Sequence, residues 1–295
     1  MRFAITFILF SFSVSAQTVL QQQIRVIADD AHGRVSVACS LPDSTLSCDL
    51  EPHAHPPMQS VFKVPLAVTA LHLVEQGKFS LDQPIRFLAS DRILPHVYSP
   101  LQDKYPEAQV DIPLRELLRL AVYLSDNVAA DIALRTIGGH AIVETYMESI
   151  GVNGFHLEDG EQTLHRDVAV QYRNWFEPAG AVQLLLRISD NSPLTREHTQ
   201  LILEWMRDSP RAPNRIKGAL PSGTILMHKA GTSDTGNGVT YATNDIGLIT
   251  LPDGRRMAIA VFITDSTADE ATRDSVIARI AKAAYDESIQ VMRAR

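Results

Sequence analysis

Long apolar runs, cysteines and clusters of positive charge are all scarce in this sequence. Beyond its first residues, no stretch approaches the ~20 apolar residues that a membrane-spanning helix requires, so a helical membrane body is excluded. The formal net charge of −7 is spread thinly over 295 residues, with no Lys/Arg run. That argues against a nucleic-acid or anionic-membrane partner. Zinc-type ligand spacing is missing as well. His53 and His55 form an H-x-H pair in "EPHAHPP", but no further ligand follows at a known spacing, so the segment reads as a linker and no metal is expected. There is no internal repeat and no low-complexity tract. What remains is ordinary globular composition, 45% hydrophobic and 21% charged, with a length that suits one large or two small domains.

The apolar run that does exist lies at the start. Met1-Arg2 precedes Phe3 to Val14, and "SVSAQ" follows. A positive start, a short apolar core and small residues describe a secretory leader. Cleavage is expected after Ala16. The alternative is an anchor, for which about 12 apolar residues are too few against ~20. The two cysteines, Cys39 and Cys48, flank Pro42-Asp43-Ser44, which is turn chemistry. A hairpin centred between Asp43 and Ser44 sets Cys39 opposite Cys48. In an exported protein a disulfide is reasonable there; two reduced, half-buried thiols are the alternative. Neither is assigned a catalytic role.

Strand patterns occur at both ends of the chain and helical patterns between them. "QQQIRVIADDA" has helical spacing and "GRVSVAC" alternates, with a hairpin partner expected near Ser47 to Leu50. Helices are expected over 60–76, 113–121, 126–137, 140–150, 179–189 and 195–207. Pro65 should perturb the start of the first. Between Gly151 and Phe176 the periodicity fails, and the stretch carries Glu158, Asp159, Glu161, His165 and Asp167. A structureless stretch of that length is functional or disordered. "GTILMHKAGTS", "NDIGLITL" and "RMAIAVFITDS" then read as three consecutive strands, with a turn at Pro252-Asp253-Gly254, before a terminal helix from about Ala268 to Met292. The fold class is α/β (α+β). A five-stranded antiparallel sheet with packed terminal helices would be built from 17–58 and 214–295, and an all-α domain, 59–213, inserted between them. A site between the two would lie in a cleft.

Three short motifs fall in a suggestive order. Ser60-Val61-Phe62-Lys63 opens an apolar helix, which puts the lysine on the serine's face one turn on. Ser125-Asp126-Asn127 follows the apolar run "LLRLAVYL" and also suits the N-terminus of the next helix. Lys229-Ala230-Gly231 ends the strand "TILMH". A serine hydroxyl is a poor nucleophile without a base. An amine held near a second lysine and a desolvated wall could have its pKa lowered enough to act as one.

S-x-x-K, S-D-N and K-T-G are the signature set of class A β-lactamases and penicillin-binding proteins, and the chain resembles that family over nearly its whole length. "VYSP", "TIGG" and "LPSGT" add to the likeness. Within class A the chain looks like the PER-type extended-spectrum enzymes, on "QSVFK", "QYRNW", "RIKGALP" and "ATNDIGLITLPDGR". The resemblance implies the β-lactamase/transpeptidase-like fold and hydrolysis of β-lactams, with resistance as its result. Ser60 would be the nucleophile, Lys63 its proton acceptor and Ser125 the relay to the lactam nitrogen. Asn127 would hold the substrate's acylamide chain, and Lys229, with Gly231 beside it, would set a positive field. Backbone N–H groups of Ser60 and Thr232 would form the oxyanion hole.

In class A a glutamate of the long loop activates the deacylating water, and an asparagine four residues later holds that water. Here Glu161 is the expected base, with His165 in the asparagine's place. The substrate carboxylate needs a cation, and the strand "ATN" lacks the arginine that many class A enzymes carry there; the resemblance to the PER-like group, whose alternative arginine position Arg215 matches, implies that Arg215 meets it, helped by Thr232 and Ser233. Tyr98 would line the mouth. Ala230 stands where the family has Thr or Ser, which removes one hydroxyl from carboxylate binding. No cofactor is implied, and a periplasmic monomer acting on small β-lactams is expected. A penicillin-binding D,D-peptidase would share Ser60, Lys63, Ser125, Asn127 and Lys229 but lack Glu161. A sensor module that stays acylated, or a serine-type glutaminase, is a further alternative.

Overall fold

Along residues 256–266 the side chains alternate between two cores, and that alternation organises the molecule. Ala258, Ala260 and Phe262 join one hydrophobic cluster; Met257, Ile259, Val261 and Ile263 join another. Period-two geometry sends successive side chains to opposite faces of a strand. Both faces here are buried, so the run shows almost no polar break. The computed structural model describes residues 18–166, 168–190, 192–207 and 209–293. The expected leader with its cleavage point, and Asp167, lie outside the described residues.

The sheet has five strands. They are β1 (Arg34–Ser40), β2 (Leu226–Thr232), β3 (Thr235–Gly236), β4 (Val239–Thr250) and β5 (Arg256–Ser266). The order is β1-β5-β4-β2, with β3 pairing β4, and every pairing is antiparallel. Val37 pairs with Val261, and Gly231 with Asn244. At the turn from β4 to β5 the chain needs a positive φ, and Gly254 supplies it at 87°. Against one face lie α1 (Val19–Asp29) and the long terminal helix, Glu270–Arg293; Ile24, Val276 and Ile280 share a core with that face. The other face packs on the helical segments.

Among these, α2 (Lys63–Glu75) is the centre, with every residue from Lys63 to Leu71 buried. A helix apolar all round is a buried helix, which is what "VPLAVTALHL" encodes. It is entered through a 3-10 turn, Gln59–Phe62. Pro65 is the third residue of α2, where its missing N–H has no intrahelical partner to lose, so the helix runs on unbroken. Helix α3 (Asn127–Ile137) packs on α2. The segment expected as one helix over 113–121 is an α-helix, Leu114–Arg119, continued by a π-turn, Leu120–Leu124.

Two features differ from expectation. Leu50 pairs with Val37 as an isolated bridge (N–H···O 2.7 and 3.0 Å) and not as a second strand. The same register sets Cys39 against Cys48, and the two form a disulfide with their Cα atoms 5.5 Å apart. The stretch from Gly151 to Phe176 is ordered by short elements. Phe155 and His156 pair with Phe176 and Trp175, and Glu161–Leu164 is a single helical turn. Asn174 Oδ1 accepts the N–H groups of Glu158 and Asp159 at 2.8 and 3.0 Å, and Arg173 pairs with Asp159. Periodicity could not reveal an order that rests on side chains bonding to backbone.

Candidate active site

The 3-10 turn Gln59–Phe62 sets Ser60 at the rim of the core, and α2 begins with Lys63 inside it. Lys63 is fully buried, and its Nζ donates to Ser60 Oγ at 2.9 Å, Ser125 O at 2.9 Å and Asn127 Oδ1 at 2.5 Å. Glu161 Oε1 lies 2.8 Å from the same Nζ. A buried ammonium is tolerable only when paired and hydrogen-bonded, and these four oxygens meet that need. Ser60 Oγ in turn lies 3.2 Å from Glu161 Oε1. The hydroxyl therefore stands between an amine and a carboxylate.

Ser125 comes to the same point from the end of the π-turn. Its φ of 63° puts it in the left-handed region, costly for a residue with a Cβ. The backbone is fixed there by Asp126 N–H to Leu120 O (3.0 Å) and by Lys63 on Ser125 O. Asp126 then caps α3, accepting from Ala129 N at 2.9 Å, and also receives Ser99 Oγ and the Leu101 N–H. S-D-N is thus two things at once, a helix start and a way of turning Ser125 and Asn127 inward.

Lys229 reaches Ser125 Oγ from β2 at 2.8 Å and also donates to Ala230 O at 2.7 Å. Burial, and then the charge of Lys63, hold this amine well below its ordinary pKa. Gly231 follows. A Cβ there would meet Met58 O at 2.7 Å and Ser60 N at 3.3 Å, so only glycine lets β2 run so close to the nucleophile.

On the third side, burial pushes the Glu161 carboxyl up. The Lys63 charge and the hydrogen bonds from His165 and Lys63 outweigh that and hold it at about 2. His165 Nε2 is 3.5 Å from Glu161 Oε2 and 3.3 Å from Asn127 Nδ2, and its Nδ1 is 3.7 Å from Asp234. Burial alone would lower its pKa, but Glu161 and Asp234 raise it.

The groups open onto a cavity of about 510 Å³, walled by Ser60, Ser125, Asn127, Glu161, Ala230 and Thr232, with Tyr98 and Arg211 at its edge. Thr232 is exposed to it, whereas Ser233 Oγ is already engaged with Ala242 N and Asp234 O. Arg215, expected to meet the substrate carboxylate, lines the same cavity with its guanidinium already engaged. It is 2% exposed; its Nε binds Asp274 at 2.8 Å, and its Nη1 donates to Gly231 O and Asn244 O. These bonds tie the guanidinium into the cavity wall.

Reading the sequence did not reach Asp131. It lies one turn beyond Asn127 on α3, and its Oδ1 and Oδ2 accept the N–H groups of Glu161 and Gln162. The only sequence signal was its i, i+4 spacing from Asn127. Nor did sequence reading reach Arg211, whose guanidinium lies 4.3 Å from the Tyr98 ring centroid.

Residues 19–288 match the model of the Beta-lactamase enzyme family. The chain is 36% identical over 285 residues to the extended-spectrum beta-lactamase PER-1 of Pseudomonas aeruginosa, covering 96% of this chain and 92% of that one. It is 32% identical over 269 residues to beta-lactamase VEB-1 of the same organism, covering 90% and 89%. Its fold superposes with TM-score 0.88 on the crystal structure of a beta-lactamase from Chitinophaga pinensis, at 39% identity, covering 92% of this chain and 100% of that one. A serine held between a lysine and a glutamate thus recurs in a chain whose sequence and fold agree with one group along almost their whole length: the protein belongs to the beta-lactamase enzyme family, and within it to the class A enzymes, hydrolases of β-lactams.

Proposed function

We propose that the protein opens the β-lactam amide bond of penicillins and cephalosporins through an acyl-enzyme on Ser60, and so confers resistance to them. The observation that carries this reading is the position of Ser60 Oγ, 2.9 Å from Lys63 Nζ and 3.2 Å from Glu161 Oε1. The Lys63–Glu161 pair takes the serine proton as Oγ attacks the lactam carbonyl. The backbone N–H groups of Ser60 and Thr232 receive the oxyanion. As the C–N bond breaks, Ser125 gives its proton to the nitrogen and takes back the one that the Lys63–Glu161 pair received from Ser60, while Lys229, bonded to Ser125 Oγ, holds it in place. Net, one proton passes from Ser60 to the ring nitrogen. In the second half Glu161, ionised at neutral pH, takes a proton from water. The hydroxide attacks the ester, and Ser60 leaves with that proton. His165 borders the Glu161 carboxylate and orients that water, and Asn127, beside His165, orients the substrate's acylamide chain.

Tyr98 lines the mouth and Thr232 and Ser233 its far wall. The working unit in this reading is a monomer. The sheet body, 17–58 and 214–295, and the helical insert, 59–213, form the two sides of the cleft. No helix among the described residues is long and apolar enough to cross a membrane. The leader pattern and the Cys39–Cys48 disulfide support a periplasmic location.

The test is turnover of a chromogenic cephalosporin by the purified protein, with intact-mass spectrometry alongside. Many turnovers with no lasting adduct on Ser60 are expected. One equivalent consumed, with a stable mass gain, would make the protein a peptidase or a sensor.

A further inference from the structure

Three features of the cavity edge belong together. Ala230 offers no hydroxyl to a substrate carboxylate, and Arg215 has its Nε and Nη1 occupied by Asp274 and two carbonyls. Arg211 is exposed and lines the same cavity. Its guanidinium lies over the ring of Tyr98, 4.3 Å from the centroid, and makes no ion pair among the described residues. Tyr98 lies in the segment before Pro100 and Arg211 in the segment ahead of Arg215, and both line the cavity. A guanidinium carbon held over an aromatic ring still leaves N–H donors at its edge for an anion. Stacking also restricts a long side chain, so less order is lost when those donors engage an anion.

We propose that Arg211, braced on Tyr98, receives the substrate carboxylate and thereby sets the preference of the cleft for anionic lactams. This rests on the reading of the cleft as a β-lactam site. Arg211 replaces, from the mouth, the hydrogen bond that Ala230 cannot make from the floor. The charge is close enough to the floor for Lys229 to feel it.

The experiment pairs a cephalosporin carrying its free carboxylate with the methyl ester of the same compound, on wild type, Arg211→Met, Arg211→Lys, Tyr98→Phe and Tyr98→Leu. A charged hydrogen bond at a partly solvated site corresponds to about a tenfold effect. Arg211→Met raises KM for the acid about tenfold, leaves KM for the ester unchanged, and leaves kcat for both within about twofold. Arg211→Lys and Tyr98→Leu fall between, and Tyr98→Phe, which keeps the ring, keeps the acid-to-ester ratio of KM values seen in wild type. An acid-to-ester ratio that is the same in wild type and Arg211→Met overturns the role while leaving hydrolysis standing. Wild type that neither turns over nor acylates with either compound, read by mass, rejects the reaction itself and the role with it.

Discussion

The Asp131 carboxylate holds Glu161 by its backbone: Oδ1 accepts the Glu161 N–H at 2.7 Å and Oδ2 the Gln162 N–H at 2.8 Å. Burial, and then the charge of Glu161, push the Asp131 carboxyl up to about 6. The folded state therefore binds its proton more tightly than the unfolded chain does. That stabilisation is present in full below about pH 4 and is lost as pH rises through about 6, an effect of about 3 kcal/mol. Glu161 works in the opposite sense. Held at about 2, it stabilises above its unfolded value and loses that contribution as pH falls. Asp131→Asn removes the first dependence and keeps the second. Urea unfolding of both proteins between pH 4 and pH 7 should show the variant gaining on wild type as pH rises; parallel curves would reject the account.

Glu161→Gln should separate the two halves of the reaction. The substitution removes the anion that pairs with Lys63 at 2.8 Å. Lys63 stays hydrogen-bonded to Ser60 Oγ at 2.9 Å, so a partner for the serine proton in acylation survives. The water that must cleave the ester has none. We expect a burst of one equivalent and an adduct on Ser60 that lasts at least a hundredfold longer than in wild type, seen by intact mass. Ordinary steady-state turnover would remove Glu161 from its role.

Arg215→Ala should act first on stability. It strands Asp274 and removes two bonds to the carbonyls of Gly231 and Asn244. Leaving one half of a buried ion pair alone costs about 3–5 kcal/mol. The melting temperature should fall by several degrees, with losses on acid and ester substrates alike. An unchanged melting temperature with a selective rise in KM for the acid would restore Arg215 as the direct carboxylate contact.

Gly231→Ala tests how close β2 must come. The new Cβ meets Met58 O at 2.7 Å, a backbone atom that yields only if the turn before Ser60 moves. Acylation should slow by at least tenfold, since small misplacements of reacting atoms are costly. Fluorescence or mass measurements of single-turnover acylation read this directly, and a rate within twofold of wild type would contradict the contact.

Much of this was legible because it is local. Ser60 and Lys63 are linked by one helical turn, the apolar β5 run announces a strand buried on both faces, and Asp126 is a helix cap by type and position. What was not legible depends on partners distant in sequence. Nothing near Arg215 says that Asp274 will occupy it, and nothing near Asp131 says that the loop beyond residue 151 will return to it. The small ladder of Pro84–Phe87 with Val110–Pro113 escaped for another reason, since four residues are too few to show a period. Tyr98 and Arg211 lie in separate loops, and no pattern in either predicts their stacking.

Lys229 rides on a strand whose sheet also needs β1, paired to β5 across some 230 positions of chain, as Arg34 with Thr264. A polypeptide still being made can contain Ser60, Lys63, Ser125 and Glu161 and yet lack the field and the wall that make the serine reactive. Reactivity therefore arrives with the last strands, as a property of the finished fold, and an unfinished chain is spared acylation by a drug already present around it.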